Sequence, residues 1–306
     1  MTFSEEIKQY ALSLGFDASG ICRAQDSEQE EIYMDWLANE CHADMGYLER
    51  NIEKRLDPRL LVEGAKSIIS VALNYFPYKL QHPDAPKFAY YAYGQDYHDV
   101  VKGKLKLLFD FIQERRPEVG GRYFSDSAPV LEGFWAAQAG LGFIGKNTLL
   151  IIPGKGSFFF LGELIIDIEL DYDAPISTNC GKCTRCLNAC PTGAIEAPFR
   201  LNAKKCISYQ TIENKGEIDP KIVPKLSNNI YGCDICQLVC PWNRFANPHN
   251  TPEFNPSEEF LSLDIKRLLE MDEESYREIF RKSAVKRAKF SGLKRNLKAL
   301  LESKME

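Results

Sequence analysis

Hydrophobic and polar positions follow two different periods along the first 170 residues. Apolar residues recur every three or four positions over residues 4–14 and 98–116, which predicts amphipathic helices. Residues 67–75 (SIISVALNY) and 156–170 are instead rich in β-branched and aromatic residues, which favour buried strands. Together these segments predict an α/β domain in residues 1–170.

Two further regions follow this domain and make the expected fold class α+β. Residues 171–247 hold most of the cysteines, and three prolines after them indicate a linker. Helices are predicted beyond the linker at residues 261–271 and 292–301. We therefore expect three domains: an α/β domain (1–170), a cysteine-rich module (171–247) and a short helical C-terminal segment (248–306).

Seven of the ten cysteines form two runs that each end in Cys-Pro, and an eighth, Cys206, lies between the runs. The first run has the Cys-x2-Cys-x2-Cys-x3-Cys-Pro spacing of bacterial ferredoxins, in which the fourth cysteine binds the other cluster of the pair. The second run lacks one cysteine, which Cys206 supplies. By this crossing, one [4Fe–4S] cluster is expected on Cys180, Cys183, Cys186 and Cys240, and the second on Cys190, Cys206, Cys233 and Cys236.

A pair of zinc sites is the alternative, because Cys-x2-Cys pairs also bind zinc, although two crossed runs fit zinc poorly. Cys22 and Cys41 lie far from the runs and are predicted to be ordinary buried thiols. Iron–sulfur clusters transfer single electrons and do not select a substrate. A substrate site is therefore expected in residues 1–170, unless the chain is only an electron-transfer adaptor.

The composition is that of a globular protein, with 44% hydrophobic and 26% charged residues in a chain of 306. The acidic, amphipathic N-terminus lacks the apolar core of a signal peptide, and no apolar run approaches the roughly 20 residues that span a bilayer. We therefore expect a cytoplasmic protein without membrane contact. In a reducing compartment, ten cysteines indicate metal binding or catalysis rather than disulfides.

Charge is distributed unevenly along the chain. The net charge is −5, but residues 281–306 carry nine Lys and Arg against two Glu, which makes this tail +7 and the remainder −12. A basic tail on an acidic body fits a polyanionic partner. Taken alone, a charge run of this kind favours the simpler role of a solvated helix face.

Residues 140–146 (GLGFIGK) match the GxGxxG dinucleotide motif. They also match a P-loop up to Lys146, but the next residue is Asn147, where a P-loop requires Ser or Thr. Both motifs follow a strand and open a helix. Residues 129–139 are predicted to be helical, so these glycines predict a helix C-cap and a turn instead.

Seven segments, in the family's order and spread over nearly the whole chain, resemble epoxyqueuosine reductase. Members of that family are cobalamin-dependent iron–sulfur enzymes that complete queuosine synthesis in tRNA. The segments are residues 52–58 (IEKRLDP), 93–98 (YGQDYH), 125–132 (SDSAPVLE), 139–148 (AGLGFIGKNT), 156–163 (GSFFFLGE), 206–210 (CISYQ) and 231–241 (YGCDICQLVCP).

The resemblance implies an oxidoreductase that removes an epoxide oxygen with two electrons and two protons. It implies a fold similar to reductive dehalogenases, with cobalamin held against the two-cluster module. The family's proton donor, which also faces the cofactor, falls on Asp126. Further cobalamin contacts fall on Arg55, Lys146, Ser157, Ser208 and Asp234.

The same residues also allow simpler roles. Asp126 could cap a helix, Arg55 could pair with Asp57 or Glu53 on the surface, and Lys146 could bind the last carbonyls of the preceding helix. His98 is expected to pack or hydrogen-bond rather than to bind cobalt.

The implied substrate is tRNA that carries epoxyqueuosine, which gives the basic tail an RNA-binding role. An unidentified electron donor is also required, and we expect a monomer. Leucines at positions 293, 297 and 300 are spaced to bury one helix face and leave the tail's cations outward. The expected tRNA contacts are Lys286, Arg287, Lys294 and Arg295.

Two features depart from the resembled family. Residues 89–92 are AYYA where many members have Arg-Tyr-Ala or a Cys, and larger members continue into helical repeats that are expected to be missing from this sequence. The rival function is a reductive dehalogenase-like cobalamin enzyme that acts on a small molecule. Such enzymes are expected to begin with a twin-arginine export signal, which this sequence does not show.

Overall fold

A computed structural model describes residues 1–304 of the chain. The helices are α1 (Phe3–Ser13), α2 (Glu30–Ala38), α3 (Ile52–Leu56), α4 (Tyr97–Arg115), α5 (Glu132–Gln138), α6 (Arg185–Ala189), α7 (Ile207–Ile212), α8 (Ile235–Leu238), α9 (Glu258–Leu261), α10 (Ile265–Glu270), α11 (Glu273–Ile279) and α12 (Lys289–Glu302). The strands are β1 (Ala18–Arg23), β2 (Ser67–Asn74), β3 (Lys87–Phe88), β4 (Gly121–Phe124), β5 (Phe143–Ile144), β6 (Leu150–Ile151), β7 (Phe159–Ile166), β8 (Ile195–Ala197), β9 (Arg200–Leu201) and β10 (Asn229–Tyr231).

An antiparallel sheet in the order β1-β2-β7-β4 organises the N-terminal half. Side chains alternate between its two faces. Leu164 and Ile166 of β7 pack with α1 and α4 on one face, while Ile165 packs with Trp135 of α5 on the other. Both faces of the sheet are therefore covered by helices, which explains why its strands are almost uniformly apolar.

Most of the predicted elements are confirmed. The predicted helices at 4–14 and 98–116 are α1 and α4, and the predicted strands at 67–75 and 156–170 contain β2 and β7. The helix predicted at 261–271 is wrong as a single element, because the chain breaks between α9 and α10. Asp264 caps the second helix there by accepting a hydrogen bond from the Arg267 N–H at 2.7 Å.

A second core joins the C-terminal helices to the middle of the chain. Strand β10 pairs in parallel with β3, and α12 packs across β10 and α7. The predicted apolar face of α12 is confirmed, since Leu293, Leu297 and Leu300 are buried. The predicted linker at 248–256 is also packed rather than free, because Phe254 is buried in the core beneath the sheet. Among residues 1–304, every helix is too short or too polar to cross a lipid bilayer.

The glycine motif at 140–146 follows α5, as predicted, and does not open a helix. Gly140 has φ +75°, the left-handed conformation of a helix C-cap. A Cβ on Gly142 would lie 2.2 Å from the Ile151 carbonyl oxygen, so this glycine permits the close pairing of β5 and β6. These glycines therefore serve chain packing.

Glu163 is an unusual residue at the centre of the main sheet. It lies on β7 directly opposite Ser70 of β2, and its side chain is completely buried. Neither carboxyl oxygen has a hydrogen-bond partner among residues 1–304. Burial raises the pKa of Glu163 well above its ordinary value, and the nearby charges of Glu132 and Asp126 add to the shift. The fold therefore favours the neutral form of the Glu163 carboxyl group.

We predict that Glu163→Gln makes the protein more stable near pH 7, by about 1 to 3 kcal/mol. An acid whose folded pKa is raised contributes stability that is complete below its ordinary pKa of 4.5 and is lost as the pH rises through the folded value. The wild type should therefore lose stability above pH 4.5, and the Gln variant should lose less. Chemical unfolding of the protein without cofactors at several pH values measures this difference.

The matched control is Glu169→Gln, since Glu169 is exposed and forms only a surface ion pair with Arg23. The control should follow the wild-type pH dependence. A Glu163→Gln protein with the wild-type slope between pH 5 and pH 8 would show that Glu163 is ionised in the fold.

Candidate active site

These eight cysteines form two groups, with the exchange that their spacing predicts. Each group takes one cysteine from the other run, and the second group also takes Cys206 from between the runs. Cys180, Cys183, Cys186 and Cys240 surround one small cavity. Cys190, Cys206, Cys233 and Cys236 line one end of a larger cavity.

Each group supplies the four cysteines that a [4Fe–4S] cluster requires. Within the described part of the chain, no three Cys, His, Asp or Glu side chains surround a position for a single metal ion. The preference for clusters over zinc rests on the spacing of the two runs, which fits zinc poorly.

Lys146 belongs to the first cluster site. Its ammonium group donates hydrogen bonds to the Gly181 and Cys183 carbonyl oxygens, at 2.7 and 2.9 Å. These bonds fix the loop that carries the first three cysteines. The predicted cobalamin contact at Lys146 is therefore not supported by its position, and neither is the alternative in which Lys146 binds the end of the preceding helix.

The cavity beside the second cluster site has a volume of about 400 Å³. Its walls are mostly aromatic and aliphatic, which is typical of a site for a flat organic cofactor. Burial raises the pKa of the Cys233 thiol to about 12, and Cys206 and Cys190 are among the neighbouring thiols that add to this shift. The apolar lining residues include Tyr91, Tyr97, Phe159, Phe160, Leu161, Ile195, Ile207 and Ile235.

Polar groups at the wall of this cavity fit the amide-bearing rim of a corrin ring. Asn147 is buried and lines the cavity, and its amide nitrogen has no hydrogen-bond partner among residues 1–304. Gln237 also lines the cavity and donates to the Tyr75 hydroxyl at 3.2 Å. The free donor of Asn147 is available to an amide carbonyl of a bound cofactor, so the residues present fit cobalamin.

Ser157 lies behind this wall. Its hydroxyl donates to Gln237 Oε1 at 2.9 Å, and its backbone N–H donates to Asn243 Oδ1 at 2.6 Å. The position of Ser157 supports a role in orienting Gln237. The resemblance implied instead that Ser157 contacts the cofactor directly.

Ser208 and Asp234 both line the cavity, as the resemblance implied. Asp234 is buried, and its Oδ2 accepts a hydrogen bond from the Tyr90 N–H at 2.8 Å. Burial raises the pKa of Asp234 to about 6. Ser208 faces a second, wider cavity as well and lies where the two meet.

The second cavity has a volume of about 1290 Å³ and shares part of its wall with the first. Side chains that line both cavities mark the passage between them. These shared residues are Tyr91, Tyr97, Asp126, Glu132 and Ser208.

Asp126 lies at this passage, on the loop between β4 and α5. Its backbone has φ +47°, a left-handed conformation that residues other than glycine rarely adopt. Its carboxyl group accepts a hydrogen bond from the Tyr97 hydroxyl and lies 3.8 Å from His98 Nε2. Because α5 begins at Glu132 with Leu131 before it, Asp126 does not cap that helix.

Glu132 holds the Asp126 loop in place by accepting a hydrogen bond from the Asp126 backbone N–H. Burial raises the pKa of Glu132 to about 8, and the adjacent Asp126 carboxylate adds to the shift. The hydrogen bond to Asp96 raises the pKa of His98, which keeps a cation near Asp126 over a wider pH range. The passage therefore contains several groups that can hold a proton near neutral pH.

Arg55 lies at the wall of the wide cavity and is 9% exposed. One guanidinium nitrogen donates to the Tyr47 carbonyl oxygen at 3.4 Å, while Nε is buried without a partner in the described chain. The predicted alternative of a surface pair with Asp57 is wrong, because Asp57 binds Arg59 at 2.7 Å instead.

The four predicted tRNA contacts do not share one surface. Lys286 and Arg287 line the wide cavity, where Arg287 pairs with Glu213 through two bonds of 2.7 Å. Lys294 donates to the Leu268 and Leu269 carbonyl oxygens.

Arg295 is the clearest departure from the predicted outward orientation of the tail. Its guanidinium group donates to the carbonyl oxygens of Gln210, Asn214 and Gly216. The prediction that Arg295 points to solvent is therefore wrong, since this side chain joins α12 to the region around the second cluster.

Sequence reasoning did not single out Tyr97, Glu132 or Asn147. All three lie inside segments that carry the resemblance, at 93–98, 125–132 and 139–148. Two of them lie next to a residue that the sequence analysis had discussed, since Tyr97 precedes His98 and Asn147 follows Lys146. A search of polar neighbours could therefore have found Tyr97 and Asn147, but not Glu132.

Comparisons with known proteins agree with this site. The family profile described as "Epoxyqueuosine reductase QueG, DUF1730" matches residues 55–127, which include Arg55 and Asp126. The profile described as "4Fe-4S double cluster binding domain" matches residues 179–243, which include all eight cysteines of the two groups.

Relatives resemble the chain over nearly its full length. The epoxyqueuosine reductase of Cellulophaga algicola is 50% identical over 295 residues, which cover 96% of each chain. A crystal structure of epoxyqueuosine reductase with an epoxyqueuosine-modified tRNA-Tyr stem loop has a TM-score of 0.88 and 34% identity, over 97% of this chain and 80% of that one.

A more distant similarity concerns the fold alone. A reductive dehalogenase structure described in terms of B12-dependent dehalogenation has a TM-score of 0.50 and 18% identity, over 96% of this chain and 37% of that one. The predicted fold class is thereby confirmed. Given the identity and coverage of its nearer relatives, the chain belongs to the epoxyqueuosine reductase family.

Proposed function

We propose that this enzyme reduces epoxyqueuosine in tRNA to queuosine, with electrons from two [4Fe–4S] clusters and with cobalamin as cofactor. The observation that carries this function is the position of Asp126. It lines both the apolar cavity beside the second cluster site and the adjoining wide cavity of about 1290 Å³. An acid at that junction lies between a redox cofactor and an RNA base.

The smaller cavity would hold cobalamin against Tyr97, Asn147, Ser208 and Asp234. When bound, cobalamin supplies strongly reducing cobalt chemistry that no side chain can provide. Cys190, Cys206, Cys233 and Cys236 at the end of this cavity would hold the second cluster beside the cofactor site, and the other four cysteines would hold the first cluster. When bound, the two clusters would supply electrons one at a time.

Asp126 would donate the proton that the departing epoxide oxygen needs, because an alkoxide is a poor leaving group. Its carboxyl group is 69% exposed to the cavities, so cofactor and substrate would have to bury it. Tyr97 holds the carboxyl group by its hydroxyl, and Glu132 fixes the backbone N–H. These two contacts orient the acid before the substrate binds.

The wide cavity would receive the anticodon loop. Proteins recognise RNA loops by extruding bases and by binding phosphates with Lys and Arg. Lys286, Arg287, Arg50 and Arg55 supply positive charge at this cavity, and Tyr47 supplies an aromatic surface for a base. We infer from this substrate that the enzyme is cytoplasmic. We also propose that it is a monomer that receives electrons from a separate donor, and that its three domains divide at residues 170 and 247.

A dehalogenase function is less well supported. The similarity to reductive dehalogenases extends to the fold only, and the wide cavity with its arginines and lysines exceeds what a small aromatic substrate requires. An adaptor without a substrate would need neither cavity.

We predict that Asp126→Asn lowers turnover by about 10² to 10⁴ while both clusters and cobalamin still bind, because the amide keeps the size of the carboxyl group but cannot donate an acidic proton. The assay is anaerobic incubation of reconstituted enzyme with reductant, cobalamin and epoxyqueuosine-containing tRNA, followed by nucleoside mass analysis. Wild-type conversion to queuosine tests the proposed function itself.

The control is Asp99→Asn, which removes an exposed carboxylate of α4 that lines neither cavity. It should keep wild-type turnover. An Asp126→Asn variant with nearly wild-type turnover would remove Asp126 from the chemistry.

We predict about eight irons and eight sulfides per chain after anaerobic reconstitution, and about four of each in Cys206→Ala, which lacks one ligand of the second cluster. Cys22→Ala is the control, because Cys22 lies in the core of the α5 face of the sheet. Iron and sulfide analysis gives the counts. Stoichiometric zinc, or complete iron loss in both variants, would contradict two separate clusters.

We predict that Lys286→Gln with Arg287→Gln weakens binding of a tRNA anticodon stem loop and lowers the slope of log Kd against log salt by about 0.7 for each lost phosphate contact. The paired control is Lys266→Gln with Lys298→Gln, which removes two exposed cations outside the cavity. Titration at several salt concentrations measures both. Equal slopes in the two double variants would show that the cavity cations do not contact RNA.

A further inference from the structure

Three segments of the chain contain no acidic residue, and two of them carry the cysteines of the first cluster site. Residues 133–162, 174–195 and 235–252 include no Asp or Glu, although the chain has 43 of them in 306 residues. The same segments contain Lys and Arg. An acidic protein therefore has stretches of purely basic character, and their relative positions decide whether they form a surface.

Contacts bring these three segments together at the first cluster site. Lys146 of the first segment binds the Gly181 and Cys183 carbonyl oxygens of the second. Phe143 packs edge-on against Trp242 of the third segment, with ring centres 5.4 Å apart. The three acid-free segments thus meet at the surface around the four thiols.

Three cations stand exposed on this surface: Lys182, Arg185 and Arg244. Within residues 1–304, none of them forms an ion pair or a side-chain hydrogen bond. Elsewhere many Lys and Arg side chains are paired, as Arg200 is with Asp35 and Lys205 with Glu196. The charge of the three cations is therefore free to act on a partner.

Two exposed apolar side chains lie close to Cys240 in the sequence. Leu238 is 54% exposed, two residues before Cys240, and Phe245 is 38% exposed beneath the Arg244 guanidinium, 4.5 Å from the ring centre. Apolar contact at the centre with charge around it is the composition of transient protein–protein interfaces. Redox encounters of this kind are small, below about 1,200 Å².

We propose that this surface, formed by Lys182, Arg185, Leu238, Arg244 and Phe245, docks a small electron-carrier protein whose redox centre is surrounded by Asp and Glu. The proposal rests on the proposed function, since it names the class of donor that this function requires. The carrier would deliver one electron at a time to the first cluster and become oxidised by one electron in each encounter.

Charge complementarity separates this occupant from others. A second copy of the chain would present the same cations and be repelled. RNA is served by a different region, since the cavity at the first cluster and the wide cavity share no lining residue. Steering by opposite charges raises association rates by about 10 to 10³-fold at low salt, which suits a carrier that must dock and leave at every electron.

The test uses the reconstituted holoenzyme and a purified acidic flavodoxin as the probe. The triple variant Lys182→Glu, Arg185→Glu and Arg244→Glu should bind the oxidised flavodoxin at least 10-fold more weakly at low salt. Stopped-flow bleaching of the clusters by reduced flavodoxin should slow by a similar factor. Both effects should shrink as the salt concentration rises, because screening removes the difference.

The matched control is the triple variant Lys87→Glu, Lys221→Glu and Lys225→Glu. It makes the same change in net charge at exposed lysines outside the defined surface. It should keep wild-type flavodoxin binding within a few-fold. If both triple variants lost flavodoxin binding equally, the effect would come from net charge alone and the proposal would be overturned. Selective loss of tRNA stem-loop binding in the Lys182, Arg185 and Arg244 variant would overturn it as well.

A second assay separates this proposal from the proposed function. Reduced methyl viologen, a small cationic reductant, can drive the conversion of epoxyqueuosine-containing tRNA without protein docking. This conversion should therefore not fall in the triple variant at Lys182, Arg185 and Arg244. Loss of that conversion at equal iron content would show that the surface serves catalysis rather than docking. Absence of conversion in the wild type would instead overturn the proposed function, while flavodoxin binding would still report on the surface.

Discussion

The exchange of one cysteine between the two runs is the constraint on which the rest of this structure depends. Cys240 must reach the loop of Cys180–Cys186, and Cys190 must join the group that contains Cys206 and Cys233. Each cluster site therefore ties together segments that are distant in sequence. Because a site of this kind does not exist in an unfolded chain, cluster binding and folding of this region are coupled.

This exchange also builds the active site. Bringing residues 231–243 against residues 147–157 places Gln237 and Asn147 on the wall of the same cavity and buries Ser157 behind it. The thiols form one end of that cavity, and the Asp126 loop forms its opening. The cysteines of the second group and Asp126 thus line the same cavity.

The proton side of the site depends on two acids that the fold keeps from water. Burial raises the pKa of Glu132 and of Glu163, and the nearby carboxylate of Asp126 adds to both shifts. Glu132 also restrains Asp126 in a left-handed backbone conformation that an unsupported loop would leave. Stability is thus lowered at positions that are used to hold protons and to orient an acid, as is common at functional sites.

The sequence by itself determined the grouping of the eight cysteines, the helices α1 and α4, the long strands and the apolar face of α12. Cysteine spacing and hydrophobic period are local properties, and local geometry translates them directly into structure. Only the tertiary structure decided the roles of Lys146, Arg295 and Glu132. A long side chain can reach carbonyl groups far along the sequence, and a carboxyl group's pKa depends on what surrounds it in space, so neither property is encoded in the residue's immediate neighbours.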